Sequence, residues 1–304
     1  MNRLLKLQNH LLPNQSRKEF DVLELKATQS EVDNNLMLPQ VTTLELKEIN
    51  QNILVITLNR PTKLNALNGE MRKDLHSVLD FIANCNNRIR IAILRANGRS
   101  FCAGLDLQDV SGVNLSAAQF FQHQHDFANI CMKIRKSPAI FIGSIHGSAV
   151  GAGMALALAC DIRVGTKDLK MNAAMLFIGL GGADLTLSYL LPRLVNQSVA
   201  MQMLLTGEYL TGEAAFRLGL LVRLADQQSE LDKYVNEQIA MLERITPFAL
   251  RLTKQVVHFS VDSPSFDSVV ALEDRNQTIL WRTNDAQEAV AALFGKRKAN
   301  YKDE

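Results

Sequence analysis

The stretch His146-Gly147-Ser148-Ala149-Val150-Gly151-Ala152-Gly153 runs directly into Met154-Ala155-Leu156-Ala157-Leu158-Ala159. Residues 139–145 before it form an apolar β-prone run, and residues 162–164 after it form a shorter one. The order is a buried strand, a glycine-rich turn, a small-residue helix and another strand. The first amides of a helix have no partner inside the helix and lie at the positive end of its dipole. Small residues there let another group approach closely. Gly151-Ala152-Gly153 resembles part of a dinucleotide loop, but the full G-x-G-x-x-G is absent and the stretch lies mid-chain, so that reading is set aside. Two readings remain: a tight packed crossover, or helix amides aimed at an oxygen that gains negative charge.

Upstream, Ser100-Phe101-Cys102-Ala103-Gly104-Leu105-Asp106-Leu107 follows a predicted strand at 89–94. A glycine in a strand-exit loop can turn backbone amides toward a ligand, although alone the string reads as an ordinary turn. Further out, 41–48 and 53–58 read as a hairpin. Met71, Leu75, Val78, Leu79 and Ile82 fall on one helical face. Downstream, helices are predicted at 185–194, 198–205, 212–217, 230–242, 248–259, 266–281 and 286–294, with a strand at 220–224. Strands and helices alternate to about residue 165, which predicts right-handed βαβ units and an α/β fold.

The two glycine motifs, in this order, resemble the enoyl-CoA hydratase/isomerase or crotonase family. Further segments carry the resemblance: Asn59-Arg60-Pro61 with Asn65-Ala66-Leu67-Asn68, Ala159-Cys160-Asp161-Ile162-Arg163, Leu190-Leu191-Pro192-Arg193, Leu205-Thr206-Gly207, Gly219-Leu220-Leu221-Val222 and Phe294-Gly295-Lys296-Arg297-Lys298-Ala299-Asn300-Tyr301. The resemblance implies a crotonase-like ββα spiral core at 41–235, after an N-terminal extension at 1–40. A helical C-terminal trimerisation region follows at 236–304, with a homotrimer or homohexamer as the assembly. It implies an acyl-CoA thioester as substrate, with CoA as part of that substrate and no separate cofactor or metal. Leu105 and Ala152 match the two oxyanion-hole positions, each acting through its backbone N–H. Lys63, Leu64 and Ala66, with Ala103, Gly104, Asp106 and Gly151, match substrate- and CoA-binding positions. Phe294 and Lys296 match a C-terminal segment that reaches CoA, often from a neighbouring subunit. Taken alone, Lys296-Arg297-Lys298 reads as a solvated basic tail.

The chain departs from the family pattern at the two carboxylates that hydrate an enoyl thioester. The matching residues are Ala155 and Met175, and neither moves a proton. The resemblance therefore implies an isomerase-like rather than a hydratase-like enzyme; the alternative is a non-catalytic acyl-CoA-binding member or assembly partner. One acid remains nearby, Asp184 in Gly181-Gly182-Ala183-Asp184. Some isomerase-like members carry an Asp in this loop, though the loop here is one residue longer. Asp184 reads either as a proton shuttle facing the acyl chain or as a helix N-cap. Asp106 reads as a brace of the oxyanion loop as well, Asp161 as a core loop anchor, His146 as packed, and Cys102 as structural. His123 and His125 lie in a Gln-rich stretch that could cover the pocket.

Bulk composition agrees with a globular enzyme. Hydrophobic residues make up 47% and charged residues 21% of 304, with a net charge of +2. That near-balance gives no support to nucleic-acid or membrane binding. Four cysteines without metal-ligand spacing point to a reducing compartment, read as the cytoplasm. Arg3, Lys6, Arg17 and Lys18 without an acid at 1–18 leave a mitochondrial transit peptide, and hence the matrix, as the alternative to a frayed extension.

Overall fold

The computed structural model describes residues 37–110 and 116–304. The basic leucine-bearing start of the chain, and with it the targeting alternative, lies outside the described residues. The described part begins with a hairpin of β1 (Leu44–Ile49) and β2 (Ile53–Leu58), paired antiparallel from Leu44–Leu58 to Ile49–Ile53. Asn50 and Gln51 turn it with positive φ, a conformation that tight hairpins demand. Helix α1 (Gly69–Asn84) starts at Asn68, whose side chain accepts the Met71 N–H at 2.9 Å. It buries Met71, Leu75, Val78, Leu79 and Ile82, the face that the periodicity predicts.

Strand β3 (Ile91–Ala96) leads to a one-turn helix α2 (Leu107–Val110) and the long α3 (Ala117–Lys136). Then come β4 (Ile140–Ile145), β5 (Ser148–Val150), α4 (Ala152–Ala159), β6 (Ile162–Thr166) and β7 (Lys170–Asn172). Helices α5 (Leu187–Leu194) and α6 (Gln197–Thr206) follow, then β8 (Leu210–Thr211), α7 (Gly212–Arg217) and β9 (Arg223–Ala225). Four helices finish the chain: α8 (Leu231–Leu242), α9 (Pro247–Ser260), α10 (Phe266–Trp281) and α11 (Asn284–Phe294).

Six strands form one sheet in the order β1-β2-β3-β4-β6-β9, parallel from β2 onward. Strand β4, IFIGSI, is buried at every position, as both-face coverage of a central parallel strand requires. A second, three-stranded sheet runs β5-β7-β8, with β7 and β8 antiparallel. Its first strand falls within the predicted glycine-rich turn and the other two where the sequence predicts no element, because strands of two or three residues leave no readable alternation. The loops that leave β3 and β4 therefore sit at the carboxyl ends of the parallel strands, where α/β sheets bind ligands.

Helix α4 is buried along its whole length. Met, Leu and Ala on every side leave it no polar face, the pattern of a helix enclosed in a core. At its C-terminus the buried Arg163 donates from Nε to the Leu220 carbonyl at 2.9 Å, and from Nη1 to the carbonyls of Leu158 (3.4 Å) and Cys160. A cation there complements the negative end of the helix dipole. Below the sheet, the buried Lys254 ammonium of α9 donates to Ile134 O (3.1 Å) and Ala139 O (2.9 Å), and pairs with Asp161 Oδ2 at 2.7 Å. Burial pushes its pKa down and Asp161 opposes the shift. Asp161 Oδ2 also accepts the Phe141 N–H at 2.8 Å, so this carboxylate does anchor a core loop. No helix among the described residues is long and apolar enough to cross a membrane.

Candidate active site

Backbone hydrogen bonds lace the two glycine motifs together. Phe101 N–H donates to His146 O, Cys102 N–H to Ser148 O and Val150 N–H to Cys102 O, each at 2.9 Å. Gly104 has φ +91°, and a Cβ on it would lie 2.7 Å from Val150 O and 3.6 Å from Ala152 N. Gly153 is equally constrained, since a Cβ there would run into the Cys102 carbonyl. These contacts set the Gly104–Leu105 peptide beside the first amide of α4. Ala152 is the first residue of that helix, after the N-cap Gly151, so its N–H has no intrahelical acceptor. Among the described residues, neither the Leu105 nor the Ala152 N–H donates a hydrogen bond. Two unengaged amides, one at the positive end of a buried helix, make a place for an oxygen that becomes negative.

The early segment closes around the same loop. Ala103 N–H donates to Leu64 O (3.0 Å), Leu67 N–H to Gly104 O (2.7 Å) and Asp106 N–H to Leu67 O (3.0 Å). Leu64 and Asn65 carry φ of 51° and 54°, and the Asn65 side chain holds the bend by accepting the Arg60 N–H at 2.8 Å. Arg60, part of a quoted motif but given no role by the sequence, pairs with buried Asp106 at 3.0 Å and donates to Ala66 O at 2.5 Å. Lys63 stays exposed, with Nζ 2.9 Å from Gln108 Oε1. Lys63, Leu64, Ala66, Ala103, Gly104, Leu105, Asp106, Gly151 and Ala152 thus gather in one place. Phe294 and Lys296 are exposed at the end of α11, Phe294 at 83%, and no hydrogen bond among the described residues ties them to this cluster.

Ala155 and Met175, which the resemblance matches to the two acids, are 0% and 7% exposed. Asp184 is partly buried in the loop before α5. The N-cap position of α5 belongs to Thr186, whose side chain makes no capping bond. Asp184 instead accepts the Leu185 N–H at Oδ1 (2.7 Å) and the Gln124 Nε2–H at Oδ2 (2.6 Å). Leu185 and Thr186 take φ of 45° and 72°. Such a conformation costs about 1–3 kcal/mol per non-glycine residue and concentrates at functional sites. Buried Cys131 lies close enough to feel the Asp184 charge; its thiol is pushed up to about 12, by burial first.

Other polar side chains are engaged elsewhere. Buried His146 sits 2.8 Å from Gly98 O, and burial lowers its pKa, so it is packed rather than poised. Cys102 is buried, its thiol pushed up to about 12 by burial, and is inert. His123 lies edge-on to Phe127, with centroids 5.1 Å apart, and His125 stacks on Phe121 at 6.4 Å. Two cavities, of about 490 and 340 Å³, are lined by other residues: the hairpin turn and chain end for the first, Arg135, Asp161 and His258 for the second. Neither includes a residue of the glycine loops.

A sequence profile described as Enoyl-CoA hydratase/isomerase matches residues 48–304. The chain belongs to that family. Among its relatives, the 1,2-epoxyphenylacetyl-CoA isomerase of Escherichia coli (strain K12) is 30% identical over 84% of this chain and 97% of its own length. The short-chain-enoyl-CoA hydratase of Clostridium acetobutylicum is 26% identical over 81% of this chain and 92% of its own. The crystal structure of an enoyl-CoA hydratase from Polaromonas sp. JS666 superposes with a TM-score of 0.78, at 26% identity, covering 85% of this chain and 99% of that one. This enoyl-CoA hydratase/isomerase family member thus has relatives named for isomerisation and for hydration, and its fold is the family's α/β fold with two sheets and a helical C-terminal region.

Proposed function

We propose that the protein is an enzyme that shifts a double bond, or carries out a related one-base reaction, on an enoyl-CoA thioester. The observation that carries this reading is the pair of unengaged amides, Leu105 and Ala152, taken with apolar Ala155 and Met175 at the positions that the resemblance matches to the two acids. The thioester oxygen sits between the two amides. Asp184 takes a proton from C2 of a 3-enoyl thioester, the electron pair moves into a dienolate whose oxygen charge the amides hold, and the same proton returns to C4. No water is added, so no second carboxylate is needed. Lys63, Leu64, Ala66, Ala103, Gly104, Asp106 and Gly151 border the CoA thioester, either along its length or as the frame that keeps the amides in place.

The test is an absorbance or NMR assay on 3-enoyl-CoA beside 2-enoyl-CoA. The parent converts the first to the conjugated product. Asp184→Asn keeps the shape, its Oδ1 still accepts the Leu185 N–H, and its Nδ2 meets Gln124 once that amide turns to present its oxygen. The base is gone, and kcat is expected to fall by about 10²–10⁴-fold. Full activity in that variant sinks the role given to Asp184. Tight CoA-ester binding with no turnover of any enoyl-CoA favours the non-catalytic alternative.

The region at 236–304 works as an assembly face on a core at 41–235. Phe259, Phe266, Ile279, Trp281, Leu293 and Phe294 are large apolar side chains exposed on its helices, the kind of surface that association covers. A trimer or hexamer buries these side chains and brings Phe294 and Lys296 to a neighbour's CoA. Sedimentation at micromolar concentration is expected to give that assembly, and a strict monomer removes the neighbour-supplied contact.

A further inference from the structure

Gln124 occupies a position whose chemistry the reaction above leaves unused. On α3, Gln124, Phe127 and Cys131 share one face by their spacing, and Phe127 and Cys131 are buried. Gln124 is therefore the polar end of an apolar stripe. Its amide reaches across sixty positions of sequence to Asp184 Oδ2 at 2.6 Å. The other charged and titratable groups of this part of α3 are turned to different partners. Asp126 pairs with Arg72 at 3.0 Å, His123 packs on Phe127, and His125 on Phe121. Cys131, the next inward position on the stripe, also lies near the Asp184 charge. On the far side, Leu185 N–H holds Oδ1 at 2.7 Å, at the start of the left-handed Leu185–Thr186 turn. Each carboxylate oxygen thus has one donor, on opposite sides, and the group has little freedom to rotate.

We propose that Gln124 is a positioning residue that fixes the Asp184 carboxylate against the substrate, so that helix α3 sets the geometry of proton transfer. This rests on Asp184 being the base. The carboxylate must meet two carbons of one substrate in turn, C2 and then C4, and a group held from both sides does so without searching for a rotamer. The donor must be neutral: a lysine at this place would pair with the carboxylate, and a second acid would compete with it for a proton.

The experiment compares Gln124→Leu, Gln124→Glu and Asp184→Asn with the parent on 3-enoyl-CoA, with kcat, KM and the pH–rate profile as readouts. Gln124→Leu is expected to lower kcat by about 10- to 100-fold with KM within about twofold, as misplacement of a reacting group does. Gln124→Glu keeps the shape and is expected to move the acid limb of the profile to higher pH, because two carboxylates in contact share one proton. If Gln124→Leu fails to fold, the Gln124→Glu profile decides alone. Parent-like kcat and pH profile in the folded Gln124 variants, beside an inactive Asp184→Asn, overturn the positioning role and leave the base assignment standing. An active Asp184→Asn, or a parent without isomerase activity, overturns both.

Discussion

Given crotonyl-CoA, the protein is expected to form 3-hydroxybutyryl-CoA no faster than buffer does. Hydration needs one group to activate water and one to deliver a proton to the α carbon. At the matching positions the side chains are a methyl group and a thioether, 0% and 7% exposed. A positioned acid or base contributes about 10²–10⁴ in rate, and both contributions are missing here. Asp184 is expected not to substitute for the pair, because no second group is left to hold the attacking water. The measurement is the absorbance of the conjugated thioester, followed at enzyme concentrations that complete the isomerisation of 3-enoyl-CoA. Rapid loss of that absorbance on crotonyl-CoA would show that the two empty acid positions were misread.

Replacing Ala152 by proline is expected to lower kcat/KM by about 10²–10³-fold while leaving the fold intact. The substitution is clean because of where Ala152 sits. The first position of a helix tolerates proline, whose missing N–H is unpaired there in any case. The donor proposed to face the thioester oxygen is deleted, which is worth about that factor, and the proline Cδ takes the place of its hydrogen in the same site. Parent-like thermal melting with the activity lost supports the assignment. Parent-like turnover would move the thioester oxygen away from α4.

Much of the architecture could be read from residues 139–164. A largely apolar strand, a glycine-rich turn and a helix without a polar face leave few ways to fold, and the structure has the strand and the helix in that order, with the short β5 inside the turn. The helix at 266–281 has the bounds that its pattern gives, since capping by Ser265 marks its start. Helix α3 was not legible. Its buried residues, Phe127, Ile130, Cys131 and Ile134, lie in its second half, while the first half is exposed and rich in Gln and His. A window over 119–124 therefore carries no helical period. The candidate site divides in the same way. The amide positions follow from local glycine patterns. The Arg60–Asp106 pair spans 46 positions and the Gln124–Asp184 contact 60, and nothing local announces either. The left-handed Leu185–Thr186 turn was equally hidden, because neither residue type favours that backbone and tertiary structure imposes it.

The laced loops also have a genetic consequence. The two donors proposed to face the thioester oxygen belong to the main chain, so no ordinary side-chain exchange at Leu105 or Ala152 deletes them. A systematic alanine scan would leave both donors in place, one position being alanine already. The vulnerable sites are the neighbours that cannot carry a Cβ, Gly104 and Gly153. A lineage can thus lose or move its carboxylates one codon at a time while the polarising centre persists, and acquire a new reaction on an old thioester cradle.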